Sequence, residues 1–289
     1  TGSILTIMPG TRIYFHKDAW LAVSFQSTLK IPGTLDHPVR FQGDRMDPFY
    51  KDLPGQWGGI YLDRGSRENE MNYVVLKNGI FGISADSLGA PGTPMLTLSN
   101  SVIQNMTSDG IYAYGSSIKS WNCVIGDCGG SSVDVEYGGS YDFSQLTIGN
   151  YWSTSVRHQP ALYLSNYTYG PAGAKVSNTL SKASFGNVIV YGSSDDEIVL
   201  DSVAGAAFTC TFDHALLKTK LKTSYTARYI NCITNKDPRY VNVIKFDYRI
   251  DSISPAINQG AATPYPTDIL GNTRDVQPDL GAYEYVKKN

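Results

Sequence analysis

The feature that most constrains this chain is a repeat. Residues 98–105 read LSNSVIQN and residues 120–127 read SWNCVIGD, so Asn100 and Asn122 head one pattern 22 residues apart. Tyr73-Val-Val-Leu76-Lys-Asn78 comes before them. Gln145-Leu-Thr-Ile148-Gly-Asn150, Asn187-Val-Ile-Val190-Tyr-Gly192 and His214-Ala-Leu-Leu217-Lys-Thr219 come after. The heads fall at 73, 100, 122, 145, 187 and 214, in steps of 27, 22, 23, 42 and 27. Apolar residues stand four and two places before most heads (Leu96/Leu98, Tyr141/Phe143, Ala183/Phe185, Cys210/Phe212). They also stand mostly one and three places after (Val74/Leu76, Ser101/Ile103, Cys123/Ile125, Leu146/Ile148, Val188/Val190, Ala215/Leu217). Alternation on both sides of a fixed residue predicts two strands meeting at a corner.

A third strand follows: Ile83-Ser-Ala, Ile111-Tyr-Ala, Val133-Asp-Val, Leu162-Tyr-Leu and Ile198-Val-Leu. It starts 5 or 6 residues after Asn78, Asn105, Asp127 and Gly192, but 12 after Asn150. The excess predicts an inserted loop at 151–161, and a second insertion near 166–182 completes the long step. The N-terminal segment has its own repeat, Pro9-Gly10-Thr11 and Pro32-Gly33-Thr34, 23 residues apart, leading to Ile13/Phe15 and Val39/Phe41.

A unit of three short strands cannot bury its apolar side alone. Coiling the chain solves that, because each strand then pairs in parallel with its copies above and below. The expected fold is all-β, a right-handed parallel β-helix over residues 1–235, about 22–23 residues per coil. A propeller blade needs about 40–45 residues, and a sandwich predicts no fixed period. The corner Asn recurs because stacked amides hydrogen-bond from rung to rung. Residues 236–289 read as an irregular C-terminal cap packed on the solenoid, since a solenoid end exposes unpaired strand edges. Asp268, Arg274, Asp279 and Glu284 are expected to pair within it.

Composition agrees and excludes several classes. The 28 Gly and 20 Tyr favour strands and turns. Charged residues make up 17%, with net charge −2, which leaves no basic footprint for nucleic acid. The apolar runs are too short to span a bilayer. The chain opens on Thr1 with neither Met nor signal peptide, and is read as a piece of a longer protein. The four cysteines, Cys123, Cys128, Cys210 and Cys232, lack zinc-ribbon spacing and read as buried thiols, with a Cys123–Cys128 disulfide left open.

The tail carries a resemblance. DPRYVN (237–242), DYRI (247–250), SPAINQG (254–260), DILGNTR (268–274) and PDLGAYEY (278–285) resemble the C-terminal signature of secreted bacterial right-handed parallel β-helix proteins of the choice-of-anchor type. LTIMPGTRIYF, GTLDHPVRFQG and WGGIYL near the N-terminus look like the same group. The resemblance implies a pectate-lyase-like architecture and export to the periplasm, the cell surface or the medium. It implies no activity.

Enzymes on such a fold cleave acidic polysaccharides along one strand face. The outward side chains of the third strand are therefore the place to look: Ser84/Asp86, Tyr112/Tyr114, Asp134/Glu136, Tyr163/Ser165 and Val199/Asp201. Rings stack on sugar faces and carboxylates accept from sugar hydroxyls. Tyr112, Tyr114, Tyr163 and Trp152 are the candidate ligand contacts. Asp134, Glu136, Arg157 and His158 are the candidate catalytic groups, with the 151–161 loop expected to bring Trp152, Arg157 and His158 to the same edge. Two carboxylates could serve as acid and base in glycoside hydrolysis; a lyase would need carboxylates, Ca2+ and a basic proton abstractor. Nothing else in the chain calls for a metal or cofactor, and lone Tyr and carboxylates on flat sheets are commonly just solvated. Three functions stay open: a monomeric exported module binding polysaccharide, a polysaccharide lyase or glycoside hydrolase, and a structural spacer or adhesin without ligand.

Overall fold

The computed structural model describes residues 2–88 and 92–287. The chain winds as a right-handed parallel β-helix. One sheet has nine strands, from Arg12–Phe15 to Ile233–Thr234, each hydrogen-bonded to its copy one coil away. A fourteen-stranded sheet makes the other two faces, because Ile111–Trp121 and Val133–Ser144 run unbroken from the third face into the first. The third strands stack in the expected register: Ile83, Ile111, Val133, Leu162 and Ile198 are successive partners. Val133 thus lies between Ile111 and Leu162.

The corner has a physical cause beyond the amide ladder. The heads Tyr73, Asn100, Asn122, Gln145, Asn187 and His214 all have φ between 47° and 55°. Most residues avoid that left-handed region because Cβ crowds the following carbonyl, and Asn tolerates it best after Gly. The bend therefore selects Asn, and the stacked amides then pair. Asn122 Nδ2 donates to Asn100 Oδ1 at 3.0 Å, and Asn100 Nδ2 donates to Asn72 Oδ1 at 2.8 Å. Asn72, not Tyr73, carries the amide on that rung. His214 holds the position in its coil, with Asn231 Nδ2 3.2 Å from its Nε2. A second ladder forms where the second sheet ends: Asn78, Asn105 and Asp127 also have positive φ, and Asn105 Nδ2 donates to Asn78 Oδ1 at 2.8 Å.

The inward residues fill the coil. Leu98, Ile103, Ile111, Ile125, Val133, Ile148 and Leu162 are fully buried, each stabilising the fold by about 1.5–3 kcal/mol before entropy. Phe143, Phe185, Phe212 and Tyr229 stack through successive coils at centroid spacings of 5.3, 4.9 and 5.6 Å. The four cysteines are free thiols. Burial pushes the Cys123 thiol up to about 12, and it donates to the Trp121 carbonyl rather than meeting Cys128.

Several details depart from the sequence reading. Thr6 pairs with Lys30 but Ile13 pairs with Phe41, so the second Pro-Gly turn is longer and Phe15, not Ile13, is displaced from Phe41. A rung of the third face at Gly59–Leu62, stacked on Ile83–Asp86, had no match in the repeat. The 166–182 insertion is an antiparallel hairpin, Tyr167–Tyr169 against Lys175–Ser177. The joint between third and first faces bulges at Gly139, where φ is 121° and a Cβ would meet the Ser116 carbonyl oxygen at 2.2 Å.

The tail lies along a flank rather than over an end. Tyr248, Ile269 and Ala282 cover Val124, and Ile250, Ala256 and Leu280 cover Ile189 and Leu216, all on the outer surface of the nine-stranded sheet. Tyr248 Oη donates to Asp127 Oδ2 at 2.5 Å. Its ring comes so close to the sheet that a Cβ on Gly149 would meet Cε1 at 2.5 Å. Arg274 donates to Glu284 at 3.1 Å and reaches across to Asn122 Oδ1 at 3.0 Å. Asp268 and Asp279 instead accept backbone N–H groups of the tail.

Candidate functional site

The outer surface of the third face is uncovered along much of its length. Because side chains alternate along a strand, stacking in register makes two outward rows. Tyr61, Ser84, Tyr112, Asp134, Tyr163 and Val199 form one. Asp86, Tyr114 and Glu136 form the other, which continues through Ser165 to Asp201. Neighbours in a row are one strand spacing apart, roughly 4.8 Å.

The groups interact along and between rows. Tyr112 Oη donates to Glu136 Oε2 at 3.0 Å. Tyr163 and Tyr167 both donate to Asp201 Oδ2, at 3.2 and 2.6 Å. Tyr114 stacks on Tyr137 with centroids 5.1 Å apart. Burial, helped by Glu136, holds the Tyr112 hydroxyl protonated far above its usual range.

Asp134 is the unusual group. Burial pushes its carboxyl up to about 8, with the charges of Asp109 and Glu136 adding to the effect. Its Oδ1 is buried without a hydrogen-bond partner. Asp109, behind it, accepts from the Ser131 N–H at 2.7 Å and the Ser108 hydroxyl at 3.0 Å, and burial raises its carboxyl too. At neutral pH Asp134 is therefore largely protonated beside acidic neighbours, the environment of a proton donor.

Beyond Tyr114 the face opens into a depression of about 590 Å³. Arg64, Asp86, Tyr114, Tyr137 and Asn178 line it. Asn178 comes from the segment after the inserted hairpin and donates to the Tyr137 carbonyl at 2.9 Å. Among the described residues, no group of three or more His, Cys, Asp or Glu is arranged to hold a metal ion. No helix among them is long and apolar enough to cross a membrane.

Tyr112, Tyr114, Asp134, Glu136 and Tyr163 thus share one surface. Two of the other expected groups do not join them. Arg157 turns into the corner before the third strand and clasps Glu197, Nη2 to Oε1 at 2.7 Å and Nη1 to Oε2 at 2.9 Å, with side chains 3% and 0% exposed. Its Nη donors are spent on Glu197 inside the corner, away from the strand face. Trp152 is buried in the same loop, where its indole N–H donates to Ser155 Oγ at 3.0 Å. His158 is exposed on that loop.

Sequence reasoning missed Tyr61, because its rung was not recognised, and Tyr137, because it sits in a bulge. It missed Asp109, one turn before the strand. It also missed Glu197, the buried partner of Arg157, which stands just before the third strand.

No family model matches the chain, and no curated protein does. Among solved structures it is similar to the crystal structure of pectate lyase Pel9A, at 11% identity over 97% of this chain and 87% of that one, with a TM-score of 0.36.

Proposed function

We propose that this is an exported β-helix protein whose third face binds a polysaccharide. The observation that carries the reading is the pair of outward rows, which set Tyr61, Tyr112, Tyr114 and Tyr163 among Asp86, Asp134 and Glu136 at rung spacing. Ring faces give a sugar its apolar contact and carboxylates orient its hydroxyls. Repetition at strand spacing suits a chain better than one small molecule. The acidic surplus, with Arg64 as the basic residue at the depression, favours a neutral chain over a polyuronate. Export is supported by the resemblance of both chain ends to secreted β-helix proteins, and a monomer is the working state. The test is binding to an array of plant and microbial polysaccharides with Tyr112→Ala and Tyr163→Ala as controls. Retention of a neutral polysaccharide that both variants weaken supports the reading, and no binding to any polysaccharide sinks it.

One observation favours a second reading, a glycoside hydrolase or lyase. Asp134 is a carboxyl kept protonated to about pH 8, next to Glu136, which accepts from Tyr112. That pair sets a protonated carboxyl beside a second carboxyl group, and glycoside cleavage uses two such groups. New reducing ends or unsaturated products that vanish in Asp134→Asn would establish it. Binding without product leaves the first reading alone.

A further inference from the structure

The tail and the coil enclose a second cleft, apart from the third face. It measures about 290 Å³ and lies against the second ladder, where Asn105 and Asp127 turn the chain. Tyr151 and Trp152 form one wall, and Val243, Ile244 and Phe246 of the tail form the other. Trp152, out of reach of the strand face, therefore has a place here.

The polar groups of this cleft are specialised. Asn105 is 5% exposed. Its Nδ2 is spent on the Asp52 carbonyl at 2.8 Å and on Asn78 Oδ1 at 2.8 Å. Its Oδ1 receives nothing from the described residues, because the next rung carries Asp127 where a further Asn would donate. Asp127 is already occupied by the Tyr248 hydroxyl and the Tyr151 N–H. Lys51 and Lys77 hold the Asp52 carboxyl below its usual range, so its charge is already compensated. No Lys, Arg or His lines the cleft. The site thus offers ring faces and acceptors, and no cation to hold an anionic ligand. Its size is at the lower end for ligand pockets, which suits one ring-sized molecule rather than a chain.

We infer that this cleft is a binding site for a single neutral sugar ring, its apolar face against Trp152 and the tail and its hydroxyls donating to Asn105 and Asp52. The ring is either a free monosaccharide or the terminal residue of a glycan; both present the same chemistry. The site is independent of the third face, so it stands or falls separately from polysaccharide binding there.

The experiment follows the Trp152 indole N–H and the Phe246 amide by NMR during titration with glucose, galactose, mannose, xylose and N-acetylglucosamine, and with their short oligosaccharides. Saturable shifts at both positions for at least one sugar are expected. They should weaken about tenfold or more when Thr154→Trp or Ser153→Arg fills the mouth of the cleft, and persist in Tyr112→Ala. Both filling substitutions lie on exposed loop positions, and an unchanged thermal unfolding midpoint confirms that each variant folds. A free sugar matching its oligosaccharides means that one ring suffices; tighter binding of oligosaccharides through their non-reducing end identifies a glycan terminus. Absence of shifts with every sugar overturns the inference, as does a response that survives both filled variants or disappears in Tyr112→Ala.

Discussion

Two outer surfaces of the same coils have met opposite fates. The nine-stranded sheet turns Val124, Ile189 and Leu216 outward, and the tail roofs them. The third face turns Tyr112, Asp134, Glu136 and Tyr163 outward, and that surface stays open. Both surfaces are flat parallel sheet with identical spacing. The outward residues alone decide which one is sealed. Apolar positions recover free energy by losing water, whereas carboxylates and phenols lose hydration when covered. The roofed flank therefore serves stability, and the open one is available to a ligand.

The largest effect should come from lifting the roof. Tyr248→Ala removes a fully buried ring and its bond to Asp127, at a cost of about 3–5 kcal/mol. Urea unfolding should show the drop, and limited proteolysis should release the tail first. A loss too small to measure would mean that the roof is not structural.

Next comes the corner beneath it. Asn122 combines a left-handed φ with bonds to Asn100, Thr267 and Arg274. Asn122→Ala should cost about 2 kcal/mol. Asn122→Gly should cost less, since Gly restores the backbone conformation though not the bonds. Equal losses in the two variants would show that conformation does not matter there.

The open face should reveal itself through pH. Asp134 holds its proton more tightly folded than unfolded, because its carboxyl is raised to about 8 from 3.8. Its contribution is therefore fully present below about pH 4 and is lost as pH rises towards 8. Asp134→Asn should flatten that part of the stability profile, because the amide has no proton to lose over this range. A profile that keeps its slope in the variant would remove Asp134 from the account.

The smallest structural effect belongs to Tyr112→Ala. It should change stability by less than about 1 kcal/mol while weakening polysaccharide binding about tenfold. If stability fell as far as in Tyr248→Ala, the face would be structural too.

Much of this was legible in the sequence, for reasons that can be named. Coiling forces every rung to make the same bend, so Asn100, Asn122 and Asn187 announce the period. Inward pairs such as Leu98/Ile103 and Phe143/Ile148 announce the core. The third-face register followed from counting, which placed Tyr112, Asp134 and Tyr163 together. Arg157 and Trp152 were misplaced because an eleven-residue insertion has no repeat to fix its path, and because the partner of Arg157, Glu197, lies a coil away. The flank position of the tail was also missed, although a signal existed. Val102, Val124, Ile189 and Leu216 make the second strands apolar on both sides, which is how a strand covered on both faces reads. The free acceptor of Asn105 could not be read at all, since it depends on where the tail lies.

The most direct test of the contrast between the two surfaces is an amide-resolved NMR titration with a neutral oligosaccharide that the protein retains. The account predicts shifts along Gly59–Leu62, Ile83–Asp86, the start of Ile111–Trp121, the start of Val133–Ser144 and Leu162–Ser165, with Val124, Ile189 and Leu216 unmoved. Shifts concentrated on the roofed flank, or none on the third face, would contradict it.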